Sequence, residues 1–151
     1  MHIIMLFIIG CISGFVLFAR VCLVNDGVSV KGKYRVSVII PARNEEKNLP
    51  LLLESLKKQT YQPEEVIVVD DFSSDETGKI ARQYGVKVIQ NSQLPEGWTG
   101  KNWALWNGFL NSSGDVLVFL DADVRLAPHA LEALIKTRER CDGAISLVLM
   151  R

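Results

Sequence analysis

The sequence predicts an α/β domain, a mostly parallel sheet with helices on both faces, preceded by one apolar N-terminal segment. Two observations carry the sheet. Short Val- and Ile-rich runs alternate with stretches whose leucines recur at helical spacing. The runs are apolar almost throughout, as strands covered on both faces must be, and strand–helix alternation implies parallel crossovers. A third observation carries the N-terminal segment: Ile3 to Ala19, IIMLFIIGCISGFVLFA, holds no charged residue.

With Arg20 snorkelling at its edge, that apolar stretch reaches Val24, and about 20 apolar residues span a bilayer as a helix. Residues 1–24 therefore read as a transmembrane anchor. A cleaved signal peptide would need a positive start and a small-x-small cleavage site, whereas only His2 precedes the apolar core and FARVC is a poor site. A buried helix is the other alternative. Arg20, Lys31, Lys33 and Arg35 follow the span, so the positive-inside rule expects a single-pass protein of the cell membrane with its C-terminal part in the cytoplasm.

Residues 25–34 are polar and glycine-containing and read as a linker; 35–151 read as the folded domain. Arg35–Ile40, RVSVII, predicts the first strand, stopped by Pro41. Leu49, Leu52, Leu53 and Leu56 predict an amphipathic helix. Glu65–Val69 predicts the second strand. Ser73 with Glu76 has the spacing of a capping box, opening a helix that ends near Gly85. Val86–Ile89 predicts a third strand, Lys101–Leu110 a helix, and Asp115–Leu120 a fourth strand of the buried kind. Pro128 starts a further helix running to about Arg140, and Ala144–Met150 predicts one more strand.

Among the 151 residues, Lys+Arg and Asp+Glu number 17 each, so no basic excess argues for nucleic acid. Cys11, Cys22 and Cys141 form no CxxC and read as free thiols of a reducing compartment. There is no G-x-G-x-x-G and no phosphate-loop signature, which removes the main support for a dinucleotide or P-loop site.

In parallel sheets, ligands bind outside the carboxyl ends of the strands. PARNEEKN follows the first strand, DDFSSDET the second and DADV the fourth. Each cluster alone could be turn and cap chemistry, but together on one edge they favour a site. Asp121 and Asp123 repel each other unless a cation is near or one stays protonated. Their oxygens suit Mg²⁺ or Mn²⁺, which takes one or two carboxylates and fills its other positions with water and substrate phosphates. Gly97–Lys101, GWTGK, could hold an anion at a helix N-terminus or could be a flexible turn with a solvated lysine. Trp103 and Trp106 share a helix face and read as core; Trp98, in the loop, is an acceptor-side candidate. His129 reads as a surface residue, and Glu132 and Glu139 as a solvated helix face.

Three segments, VSVIIPARNEEKNLPLLLESL, EVIVVDDFSSDET and GDVLVFLDADV, resemble glycosyltransferase family 2 in order and spacing, over roughly residues 35–140. The resemblance implies the GT-A fold, a Rossmann-like sheet, and inverting transfer of a sugar from a nucleotide-diphosphate donor, usually UDP-linked. GWTGKNWALWNG further resembles the membrane-anchored subgroup that glycosylates lipids, including carotenoid acids, implying a lipid or membrane-associated acceptor. Carried over by position, Pro41, Ala42 and Glu45 line the nucleotide pocket and Asp71 holds the uracil. Asp121 contacts the ribose or diphosphate, Lys101 approaches the diphosphate, and Asp123 ligates the divalent cation. Asp70 supports the turn.

Phe72 departs from the family, which usually has Gly there. The general base of the family lies downstream of the D-x-D, so it is expected beyond Arg151, and residues 35–151 are expected to form the donor-binding part. Two other readings stand beside the enzyme: a non-catalytic nucleotide-sugar-binding module, and a nucleotidyltransferase, which the absence of glycine from PARNEEKN disfavours.

Overall fold

The computed structural model describes residues 33–140. The expected membrane anchor, the three cysteines and the strand at 144–150 lie outside them. Among the described residues no helix is long and apolar enough to cross a membrane.

Four strands, β1 (Val36–Ala42), β2 (Glu65–Asp70), β3 (Lys87–Gln90) and β4 (Val116–Phe119), form one sheet in the order β3-β2-β1-β4. Every pairing is parallel, as the alternating pattern predicts. Helices α1 (Leu49–Lys57), α2 (Thr77–Gln83), α3 (Gly100–Leu110) and α4 (Ala130–Arg140) connect or follow them. Alternate strand residues face opposite layers. Val36, Val38, Ile40 and Val68 pack with Leu49, Leu52, Leu53 and Leu56 of α1, Ala81 of α2, and Leu131 and Ile135 of α4. Ile39, Ile67 and Val69 face the other way and pack with Ala104 of α3. The four α1 leucines are the predicted ones, and burying each contributes about 1.5–3 kcal/mol.

Contrary to the expected stop, β1 runs through Pro41 to Ala42. Ile39 gives its carbonyl to Leu120 N–H, while Ala42 gives its carbonyl to Asp71 N–H on the opposite side. Pro41 is in phase with Ile39, so its missing N–H faces β4 beyond the last β1–β4 pair, Ile39–Phe119. No ladder bond is lost there. The β4 run is also less buried than expected. It lies at the sheet edge among the described residues, and Phe119 is 49% exposed.

The capping box is not formed. Ser73 accepts a hydrogen bond from Asn44 N–H, and α2 begins four residues later, at Thr77. Asp75 takes the cap role instead, its Oδ1 accepting from Thr77 N–H at 3.0 Å and from the Thr77 hydroxyl. Tyr34, assigned to the linker, is tied to the domain. Its N–H donates to Tyr61 Oη at 2.8 Å, and that hydroxyl donates back to the Tyr34 carbonyl. Glu132 is a tether rather than a solvated face, accepting from Thr60 Oγ1 at 2.9 Å and pairing with the buried Lys136 at 3.0 Å.

α3 lies close to its sheet face because its inner stripe is small: Gly100, Ala104 and Gly108. A β-carbon at Gly108 would overlap Ile39 Cγ2. This approach fixes where the first turn of α3 arrives, at the carboxyl ends of β2 and β4.

Candidate functional site

From β1 the chain steps outward to β2 and β3 and then returns to β4 on the other side of β1, so the carboxyl ends of β1 and β4 flank the topological switch point of the sheet. Pro41 and Ala42 end β1, Asp70 ends β2 with Asp71 just after it, and Asp121 to Asp123 follow β4. The sequence-predicted residues thus share one edge.

Asp71 is 5% exposed. Its N–H donates to Ala42 O at 2.8 Å, locking it beside the end of β1. Its Oδ1 accepts from Asn91 Nδ2 at 2.8 Å, and Asn91 Oδ1 accepts from Asn107 Nδ2 at 2.8 Å. Its Oδ2 lies against Gly100, where a β-carbon would overlap it. Asp70 is turned to structure: its Oδ1 accepts from Ser73 N–H at 3.1 Å.

Asp121 and Asp123 are exposed, with buried Ala122 between them. Lys101, the second residue of α3, reaches Asp121 Oδ1 at 2.7 Å. GWTGK therefore forms the N-terminal end of α3, with its two final residues divided between the two acidic ends: Gly100 on Asp71 and Lys101 on Asp121. The positive end of the helix dipole faces both.

The loops are cross-tied. Asn44, at φ 57°, accepts Ser74 N–H on its Oδ1 at 2.8 Å. Glu45 N–H donates to Thr77 Oγ1 at 2.8 Å and Glu46 N–H to Asp75 Oδ2 at 3.1 Å. Burial alone would raise the Asp75 pKa, but its donors, the Thr77 hydroxyl and N–H and the Glu46 N–H, hold it below the ordinary carboxylate value. Glu45 Oε2 accepts from Asn48 Nδ2 at 2.8 Å, and Asn48 Oδ1 accepts from Arg125 at 3.2 Å, which joins the β1 loop to the β4 loop. Glu45 thus lies at the edge as a loop-holding residue. Phe72, also at φ 57°, sits in the left-handed region that explains a glycine preference there.

Among the described residues no group of three His, Cys, Asp or Glu side chains could hold a metal. The donor set that exists, two exposed carboxylates on one turn, fits a hard divalent ion that keeps waters and ligand phosphates. The tryptophans do not form core: Trp98 meets Trp103 edge-on at 5.2 Å and Trp106 at 6.1 Å, and Trp106 is 42% exposed. With Leu105, Phe109 and Phe119, Trp98 and Trp106 line an apolar groove of about 370 Å³. Another concavity, about 340 Å³ between α1 and the starts of β2 and β3, lies at the opposite edge, away from the acids. Sequence reasoning passed over Asn91 and Asn107, and marked Gly100 only as part of the GWTGK turn, not as a neighbour of Asp71. The rule that marked three strand ends, applied to the third as well, would have marked Asn91 in IQNS.

The model of the family described as glycosyl transferase family 2 matches residues 37–149. A 4,4'-diaponeurosporenoate glycosyltransferase of Staphylococcus haemolyticus is 42% identical over 146 residues, 92% of this chain. The chain spans 39% of that relative. Among solved structures, glucosyl-3-phosphoglycerate synthase from Mycobacterium tuberculosis, in complex with Mn²⁺, UDP and glucosyl-3-phosphoglycerate, aligns with TM-score 0.59 and 30% identity. The alignment covers 73% of this chain and 43% of that one. A mannosyltransferase from Pyrobaculum calidifontis, in complex with GDP-Man and Mn²⁺, shares the fold with TM-score 0.62 at 24% identity, covering 75% and 35% of the two chains.

Proposed function

The chain belongs to glycosyltransferase family 2, and from that premise we propose that its switch-point edge binds a nucleotide-diphosphate sugar, a UDP-sugar, together with a divalent cation. The observation that carries this reading is the bridging of Asp71 and Asp121 by consecutive residues of α3. That spacing gives one ligand a base-reading acid at one end and a cation with an acid at the other, as a nucleotide diphosphate requires.

In this reading Asp71 accepts a ring N–H of the uracil, and Pro41, Ala42 and the Glu45 loop wall the nucleoside. Asp123 holds Mg²⁺ or Mn²⁺, with Asp121 on the ribose and diphosphate side. The bound ion supplies electrostatic stabilisation of the leaving diphosphate. Lys101 exchanges its partner, Asp121, for a diphosphate oxygen, so its charge remains matched throughout. The N-terminal N–H groups of α3 face the same region and favour the anion. The transfer is inverting, to a lipid or carotenoid-type acceptor at the membrane, with the domain on the cytoplasmic side. The carotenoid substrate named for the curated relative, together with the apolar groove beside α3 and β4, supports that acceptor class.

Calorimetric titration of UDP-glucose into the 151-residue chain in detergent, with and without Mn²⁺, tests the donor site. Binding that needs Mn²⁺ and is lost in Asp123→Ala is expected. Binding indifferent to the metal, or none, would sink the proposal.

A further inference from the structure

We propose that Asn91 and Asn107 are positioning residues that make Asp71 selective for a base carrying a ring N–H. The inference rests on the reading above, in which Asp71 holds the base of the donor. Asp71 as a carboxylate only accepts hydrogen bonds, so Asn91 must present its NH₂ to Oδ1 at 2.8 Å. Its carbonyl then points away, and the only way to satisfy it is a donor. Asn107 provides that donor, Nδ2 to Oδ1 at 2.8 Å, from α3. Asn91 is 7% exposed, and its backbone N–H donates to the Asp70 carbonyl at 3.1 Å. Water has little access to reverse the order. The three side chains form a one-way relay, with every donor directed toward Asp71.

The consequence is chemical. An Asp71 oriented by this relay, with Oδ2 held against Gly100, offers only acceptors to its ligand. Uracil presents an N–H at ring position 3, and guanine presents one at ring position 1. Cytosine presents a bare nitrogen at position 3, which would set lone pair against lone pair in a nearly buried place. The acceptors are those of Asp71; Asn91 and Asn107 fix their aim, and Asn107 does so without touching ligand, from the helix that also carries Lys101.

UDP and CDP are titrated into the 151-residue chain with Mn²⁺, for wild type, Asp71→Ala, Asn107→Asp and Asn107→Ala, with thermal melting alongside. Asn107→Asp keeps the shape but inverts the polarity. Asn91 then turns its NH₂ toward the new carboxylate and its carbonyl toward Asp71. UDP affinity should fall at least tenfold, CDP affinity should stay nearly constant, and Asn107→Ala, which removes the donor without forcing the turn, should lose less. A packing role predicts the reverse order, Ala worse than Asp, with both nucleotides weakened alike, and that result overturns the relay. Wild-type discrimination in Asn107→Asp, when Asp71→Ala abolishes it, also overturns the relay while sparing the base-holding role. If wild type itself shows no UDP preference and Asp71→Ala changes nothing, the base-holding role fails and the relay with it. Should Asn107→Asp not fold, loss of UDP preference in a folded Asn107→Ala supports the relay, and its retention refutes it.

Discussion

Lys101 Nζ lies 2.7 Å from Asp121 Oδ1, an ion pair between the first turn of α3 and the turn after β4. Both side chains are more than half exposed, so the pair contributes little to stability, about 0–1 kcal/mol. Its significance is that it pre-places a cation where carboxylates would otherwise repel. Lys101→Ala should leave the melting temperature nearly unchanged, weaken UDP-glucose by roughly tenfold, the scale of one charge-assisted hydrogen bond, and strengthen Mn²⁺ binding measured without nucleotide. Calorimetry and manganese paramagnetic resonance read the two opposite signs; movement of both constants in one direction contradicts the assignment.

Gly100→Ala places a β-carbon onto Asp71 Oδ2. Helix propensity alone would make this change stabilising by up to about 1 kcal/mol. The expected outcome is instead a melting temperature near wild type with UDP binding weakened at least tenfold, because the carboxylate must rotate off its Asn91 partner. Unaltered UDP affinity would show that the Asp71 orientation is immaterial.

Phe72 occupies φ 57° and is 47% exposed. A bulky residue there costs roughly 1–2 kcal/mol, and glycine costs about 0.5–1 in chain entropy. Phe72→Gly should therefore stabilise the domain by about 0.5–1 kcal/mol, seen as a higher denaturant midpoint with an unchanged slope. A lower midpoint would mean that the ring makes contacts outweighing the backbone strain.

Acid should loosen the sheet at its other edge. Burial would raise the Glu65 pKa, but the Ser37 hydroxyl, Ser113 N–H and hydroxyl, and Lys87 hold it below its ordinary 4.5. A depressed folded value means its contribution is complete above pH 4.5 and is lost as pH falls through the folded value. Melting temperature should decline below about pH 4.5, and Glu65→Gln should flatten part of that decline. An identical pH profile in the variant would remove Glu65 from the acid response.

What was legible in the sequence followed from local rules. The α1 leucines pack where their spacing puts them, because burial of one face decides helix orientation regardless of partners. The acids at the ends of β2 and β4 share an edge because parallel crossovers leave no other arrangement. What was not legible depended on partners distant in the chain. Pro41 is tolerated only because β4 stops pairing at Phe119. Ser73 is diverted from capping by Asn44, 29 positions away. Trp106 stays at the surface because Gly100, Ala104 and Gly108 claim the inner face of α3. The Asn107–Asn91–Asp71 relay joins three elements, and neither spacing nor composition announces it.

The parallel order of the sheet has a kinetic consequence. β1 is among the first described elements to leave the ribosome, yet its second edge must wait for β4, whose start lies 80 positions downstream of the residue that opens β1. Until then β1 presents an unpaired, hydrophobic rim to other nascent chains. Topologies of such high contact order fold slowly, and their intermediates are exposed to aggregation. Among the described strands, β1 is flanked on both sides in the folded sheet, yet it waits longest during synthesis for its second partner.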